Sequence, residues 1–364
     1  MSGANGSETA GGTSGVAPRR LILKNAYSPG DVLMMSATVR DLHHAHPGRF
    51  LTDVRTPAPD LWENNPHLTP IADDDPDAEV VVMEYPLIDR SNDVALHFIH
   101  GYHEYLGEKL GVSIPVGRFS GDVHLSEEER GWMSQVEETG FEGAFWIIMA
   151  GGKYDFTAKW WDPTRYQRVV DHFRGRILFA QCGEREHWHP RLRRVLDLVG
   201  RTTPRQFIRL MHHADGVVCP VTFAMHLAAA VPARPGRPPN RAAVVVAGGR
   251  EPAHWEAYPH HQYIGNNGAL PCCEHGGCWK SRCQPVFDGD PKDDDRCVAP
   301  VEVAPGLVIP RCLDMIRAED VIRRIEVYYE GGSLRYNDPP RSTPGHPPRP
   351  SDPRRESGRR EAGP

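Results

Sequence analysis

The stretch GAFWIIMAGGKYDFTAKWWDPTRYQRVVDHFRGRILFAQCG, Gly143–Gly183, decides the fold. It opens on a continuous apolar run closed by glycines, the pattern of a strand buried on both faces. TRYQRVVDHFRG then reads as a helix, and RILFAQCG as a second short strand. Two buried strands joined through a helix predict a parallel pair with a helical crossover. The same alternation continues outward. TPRQFIRLMHHA reads as a helix, DGVVCPV as a strand, FAMHLAAAV as a helix and RAAVVVAGG as a strand.

Towards the N-terminus the pattern occurs a second time. RLILKNA (Arg20–Ala26) predicts a buried strand, YSPGD a tight turn, and VLMMSATVRDLHHAHP a helix with Val32, Met35, Val39 and Leu42 at helical spacing. Asp31 stands where an N-cap belongs. FLTDVRT and AEVVVMEYPLI predict strands, and VALHFIHGYHEYLGEKLG a helix ending at Gly111. Two α/β series, roughly 20–130 and 140–335, predict two Rossmann-like domains with parallel sheets facing across a cleft. The boundaries drawn are 19–140 and 141–334, with disordered tails over 1–18 and 335–364. The first tail is rich in Gly, Ser and Thr, the second in Pro and Arg, and neither can bury a core. In open α/β sheets ligands lie at the carboxyl ends of the strands, so the cleft is the expected site.

The bulk numbers exclude some functions. A formal charge of −6 over 364 residues gives no reason to expect a nucleic-acid partner. No run of eighteen apolar residues suggests a spanning helix. The N-terminus has no apolar h-region, so a cytoplasmic chain with reduced thiols is expected.

Three segments carry groups that suit chemistry. Asp31 follows a glycine at a strand-to-helix turn, as a cap or as a general base. In MAGGKYDFTAKWWDP, the amides of Gly151 and Gly152 suit phosphate oxygens, and Lys153 and Lys159 add positive charge. The spacing is not that of a P-loop. In CPVTFAMHLAAAV, Thr222, Phe223 and Ala224 would present amides at a helix N-terminus, with His226 in the first turn.

In that order these segments resemble family 9 glycosyltransferases, the ADP-heptose:lipopolysaccharide heptosyltransferase family. Gly30-Asp31-Val32 is similar to its Gly-Asp-Val element, and Lys159-Trp160-Trp161 to its Lys-x-Trp element. CPVTFAMHLAAA partly matches its D-[ST]-G-x-x-H-[LI]-x-A-A element, and Cys312-Leu-Asp-Met-Ile resembles its C-M-x-x-I segment. The resemblance covers roughly residues 20–332. It implies a GT-B fold and a nucleotide-diphosphate sugar donor held mainly by the second domain. It also implies an acceptor domain first, and inversion at the anomeric carbon without a catalytic metal. Asp31 would be the base, Lys159 would stabilise the leaving diphosphate, and the Thr222–His226 turn would hold donor phosphate and sugar. The acceptor would be a surface glycan or a protein, with room for peripheral contact at the inner membrane. In one place the chain departs from the family. The family's aspartate in the third element is replaced by Cys219, or the turn is shifted by a residue. A relative that binds nucleotide or glycan without catalysis is the alternative reading.

Further residues stand apart from these motifs. His97, His100 and His103 recur on one predicted helix, as an acceptor surface, a metal site or a plain face. Glu251, Trp255 and Tyr258 follow the VVVAGG strand, where a nucleotide base could rest. Six of the eight cysteines fall within residues 271–312. They have no CxxC knuckle. A structural metal, free or redox-sensing thiols and disulfides are the three readings. The DGDPKDDD run there cannot pack on its own, so something else must order it. The segment resembles cysteine-bound iron loops of heptosyltransferase-like enzymes that modify autotransporters. On that likeness Cys273, Cys278, Cys297 and Cys312 would hold structural zinc or iron, Cys272 could replace Cys273, and Cys283 is spare.

Overall fold

The structure, a computed structural model, describes residues 17–337, so both expected tails lie almost wholly outside the described residues. The first half runs β1 (Arg19–Lys24), α1 (Pro29–Ala45), β2 (Phe50–Arg55), β3 (Ala78–Val82), α2 (Phe98–Leu110) and the short α3 (Glu127–Arg130). Its sheet has the order β2-β1-β3, all parallel. β1 buries Leu21, Ile22 and Leu23 in succession, as a central strand covered on both faces must. The predicted strand over 78–88 stops at Val82. Pro86, which has no N–H for a ladder, opens a 3-10 turn over Pro86–Arg90 instead. α2 ends at Gly111 with φ 67°, in the left-handed conformation that glycine adopts freely.

The second half runs β4 (Phe145–Ile148), α4 (Pro163–His172), β5 (Leu178–Gln181), β6 (Leu196–Asp197), α5 (Pro204–His213), β7 (Gly216–Pro220), α6 (Phe223–Ala230), β8 (Ala242–Gly248), α7 (Ala253–Glu256) and β9 (Gln262–Gly265). These strands form one parallel sheet, ordered β6-β5-β4-β7-β8-β9. An antiparallel hairpin follows, β10 (Pro300–Ala304) with β11 (Leu307–Pro310), then α8 (Arg311–Asp314) and α9 (Ala318–Glu330). α9 returns onto α4 and β8, where Trp146 Nε1 donates to the Tyr329 hydroxyl at 2.8 Å.

One face of the second sheet packs under α4 and α9. The apolar cluster on its other face continues without a break into the first half, from Leu227 and Ala224 to Val32, Met34 and Leu21. α1 lies directly on α6, so the seam between the halves is apolar at its base. Beside it, Arg205 on α5 forms a two-pronged pair with Glu129 on α3 and donates to the carbonyls of Asp60 and His124. Among the described residues no helix is long and apolar enough to cross a membrane.

Candidate active site

β4 lies between β5 on one side and β7 on the other, so the strand order reverses there. The crevice at the carboxyl ends of β4 and β7 is where such a sheet binds ligands. Three turns deliver polar groups to it. Lys159, after β4, donates from Nζ to the carbonyl of Val221, after β7, at 3.0 Å, and pairs with Glu251, after β8, at 2.7 Å. Glu251 is 1% exposed and also takes Arg250. Burial pushes its carboxyl up, but Arg250 and Lys159 outweigh burial and hold it below the usual range.

The first half approaches from the other side. The start of α1 meets the start of α6: a Cβ on Gly30 would lie 3.4 Å from the His226 ring and 3.9 Å from Phe223 Cα. Asp31 follows at once. It is not the N-cap, as the sequence suggested. Ser28 is, and Asp31 is the third helical residue, its Oδ2 accepting from the Ser28 amide and hydroxyl. Tyr85 acts on the same carboxylate from nearby, and burial, then the Asp31 charge, keeps that phenol protonated. Capping and cleft position therefore coincide in one residue.

Between Asp31 and Lys159 the lining is rich in unpartnered polar atoms. Thr222 Oγ1, Glu251 Oε2 and Glu256 Oε2 are buried without hydrogen bonds. The Phe223 and Ala224 amides open α6 with no backbone partner among the described residues. His226 Nδ1 is 2.8 Å from the Tyr258 hydroxyl, and burial pulls the imidazole down to about 3, so it is neutral. Glu256, 3.5 Å from His226 Nε2, is pushed up to about 8 by burial and then by Glu251. Buried polar groups of this kind suit a polar ligand.

Residues 87–235 match glycosyltransferase family 9 (heptosyltransferase). The resemblance to that family stands. The matched stretch includes Lys159 and the Thr222–His226 turn, and Asp31 precedes it. No curated protein matches the chain. Among solved structures, a family 9 glycosyl transferase from Veillonella parvula is 14% identical with a TM-score of 0.56, over 88% of this chain and 100% of that one. The ADP-heptose lipopolysaccharide heptosyltransferase II of E. coli is 13% identical with a TM-score of 0.53, over 86% and 99%. The iron-containing dodecameric glycosyltransferase TibC of enterotoxigenic E. coli is 14% identical with a TM-score of 0.55, over 87% and 77%. At these identities the likeness is one of fold, and the fold is GT-B.

Set against the family pattern, several expected positions move. Cys219 is the last residue but one of β7, as expected, but it is fully buried, its thiol pushed up by burial. Five residues before His226, where the pattern has its aspartate, stands Val221. The Gly151–Gly152 turn does not offer the Gly152 amide to a phosphate. That amide donates to the Trp188 carbonyl at 2.8 Å, and a Cβ on Gly151 would lie 2.0 Å from the same oxygen. The glycines serve close approach to Trp188, and Lys153 begins the 3-10 turn beyond them. His97, His100 and His103 do not act together. His97 caps α2, accepting from the Ile99 amide, and His103 is buried on Asp41 at 2.9 Å; only His100 is half-exposed. Trp255 and Tyr258 are too buried to seat a base. They pack on Phe98 and His97 in the seam between the halves. Glu256 and Tyr85 lie in no motif, and only the tertiary structure brings them to Asp31 and Lys159.

The cysteine segment is ordered partly by an ion cluster that the sequence did not suggest. Arg282, with no exposed side-chain surface, takes Asp288 at 2.7 Å and Asp293 at 3.0 Å, with Asp155 at 3.6 Å. The acidic run thus folds around one guanidinium, whose fixed fork can serve several carboxylates at once. Arg282→Met removes that centre, and limited proteolysis should then cut within 286–296 several-fold faster while the rest of the chain stays resistant. Cleavage at the original rate would show that other contacts order the run.

All eight cysteines are free. Cys272, Cys273, Cys278, Cys297 and Cys312 line one cavity of about 10 Å³, the volume of a single small ion or water. The neighbouring Cys283 thiol holds that of Cys297 down at about 6. Among the described residues no three His, Cys, Asp or Glu side chains converge as a metal-ligand set. The donor chemistry suits a soft cation.

Proposed function

We propose that the chain is an inverting glycosyltransferase that moves a sugar from a nucleoside diphosphate to an acceptor hydroxyl. The hydroxyl oxygen attacks the anomeric carbon, its proton passes to Asp31, and the bond from that carbon to the diphosphate oxygen breaks. Lys159 and the amides at the start of α6 take the charge on the departing diphosphate. The second half holds the donor, and the first half takes the acceptor, a surface glycan or a protein. No metal takes part in transfer, and the work is done in the cytoplasm. The observation that carries this reading is the meeting of the α1 and α6 N-termini, with a carboxylate on one side and Lys159 on the other.

The test is a thermal-shift screen of nucleotide sugars, followed by NMR of the product anomer. ADP-heptose, the donor in a complex of TibC, is the first to try. A donor at a hundredfold excess over its Kd should add about 2.7 kcal/mol of stability. The product should have the anomeric configuration opposite to the donor's, and a retained configuration would overturn the reading. Val221 in the place of the family acid favours a second reading, a nucleotide-binding relative without transfer. That reading expects the thermal shift with no product.

The thiols of Cys273, Cys278, Cys297 and Cys312, with Cys272 beside them, are proposed to hold a structural iron or zinc ion. Five thiols around an ion-sized cavity support this. Elemental analysis should find close to one metal per chain, and chelation should lower the Tm by several degrees. Metal-free protein with an unchanged Tm would refute it.

A further inference from the structure

Glu256 is the last residue of α7, after β8, and it is 6% exposed. Its Oε2 has no hydrogen-bond partner, and no described residue donates to its carboxyl within ordinary hydrogen-bond distance. The nearest polar atom is His226 Nε2 at 3.5 Å. On the other side of the ring, Nδ1 lies 2.8 Å from the Tyr258 hydroxyl, which is itself 3.2 Å from Met34 Sδ. The carboxyl is thus buried and unsatisfied, an arrangement that costs free energy unless a ligand completes it.

The surroundings narrow the ligand. The same His226 Nε2 would lie 3.8 Å from a Cβ on Gly30, so Glu256 stands where the starts of α1 and α6 meet. Lys159 and Arg250 are already taken by Glu251, so neither supplies Glu256 with a counter-charge. What remains is a neutral group rich in donors. Two carboxyl oxygens suit two neighbouring hydroxyls of a sugar ring. The turn after β7 offers Val221 and no acid, so the acceptor atoms come from the β8 side.

We propose that Glu256 binds the hydroxyls of the transferred sugar, a role that rests on the transferase reading above. The ligand class is a nucleotide-linked sugar with a vicinal diol, as in a hexose or heptose.

The experiment compares a nucleoside diphosphate with its sugar derivative by titration calorimetry: ADP against ADP-heptose, and UDP against UDP-glucose. The wild-type chain should bind one sugar derivative more tightly than its diphosphate. Glu256→Ala should remove at least about tenfold of that preference while leaving the diphosphate affinity within about twofold. Glu256→Gln, of the same shape and still able to accept, should retain part of it. Three outcomes overturn the proposal. One is an Ala variant with the wild-type preference. The second is equal loss for diphosphate and sugar derivative, the mark of a merely structural role. The third is a wild type that binds the diphosphate but does not prefer the sugar. A wild type that binds neither ligand of either pair removes the transferase reading itself, and Glu256 with it.

Discussion

Asp31→Asn lowers kcat about 10²- to 10⁴-fold and leaves donor affinity within a few-fold. Asparagine keeps the shape and an acceptor oxygen, so the contacts with the Ser28 amide and hydroxyl can persist. It cannot take a proton at neutral pH. Stability should therefore change by less than about 1 kcal/mol, the scale of one helix cap. Asp31→Ala would mix two effects, because it removes the cap and the base together. The measurement is single-turnover transfer beside a thermal melt. A full rate in the asparagine variant would mean that another group takes the proton. The transferase reading would then need a new base.

Arg205→Ala destabilises the protein by about 3–5 kcal/mol, as breaking a buried ion pair does when one charge is left alone. Arg205 and Glu129 have side chains only 9% and 6% exposed. The guanidinium also serves the carbonyls of Asp60 and His124, so three segments of the first half hang on one residue of α5. The Tm should fall by roughly 5–15 °C. The pair also sets an acid limit. Burial pushes the Glu129 carboxyl up, but Arg205 and Ser126 outweigh burial and hold it below the usual range. A carboxyl depressed in the folded state contributes stability that is fully present above its unfolded pKa. That stability is lost as pH falls through the folded value. The wild-type Tm should therefore drop on acidification in that window, and the Arg205→Ala profile should be flatter there. An Arg205→Met, Glu129→Leu double variant should recover much of the loss, since apolar replacements of a buried pair are often neutral. A single variant as stable as the wild type would show that the halves are held by the apolar seam alone.

Much of the fold was legible because strand and helix periodicities are local. The run FWII, the glycines after it and the helix after them predict β4, a turn and α4 from neighbouring residues only. The strand at 78–88 was overlong because apolar content continued past Val82, and Pro86 was the signal that should have ended it. Asp31 was legible as special, though its cap partner was misassigned. Ser28 before Pro29 is the better N-cap signature, and a capping box puts the acid three residues on.

The site was legible only in part. Lys159 and Thr222 stand in motifs, so their neighbours along the chain announce them. Glu251, Glu256, Tyr85 and Arg282 do not. Each acquires its meaning from a partner far along the chain: Lys159 for Glu251, His226 for Glu256, Asp31 for Tyr85, Asp155 for Arg282. The histidines of α2 show the opposite failure. Spacing placed them on one helix, but Asp41 on α1 took His103 into the core.

The sequence alone determined the two α/β series, their helices and turns, and the family resemblance. Those follow from apolar spacing, glycine and proline positions and short motifs, all set within a few residues. The tertiary structure decided which turn of the second sheet faces the start of α1, and which carboxylates lost their water there. It also decided that the Gly152 amide serves Trp188. Burial and pairing depend on residues brought together from distant parts of the chain, and local periodicity carries no record of them.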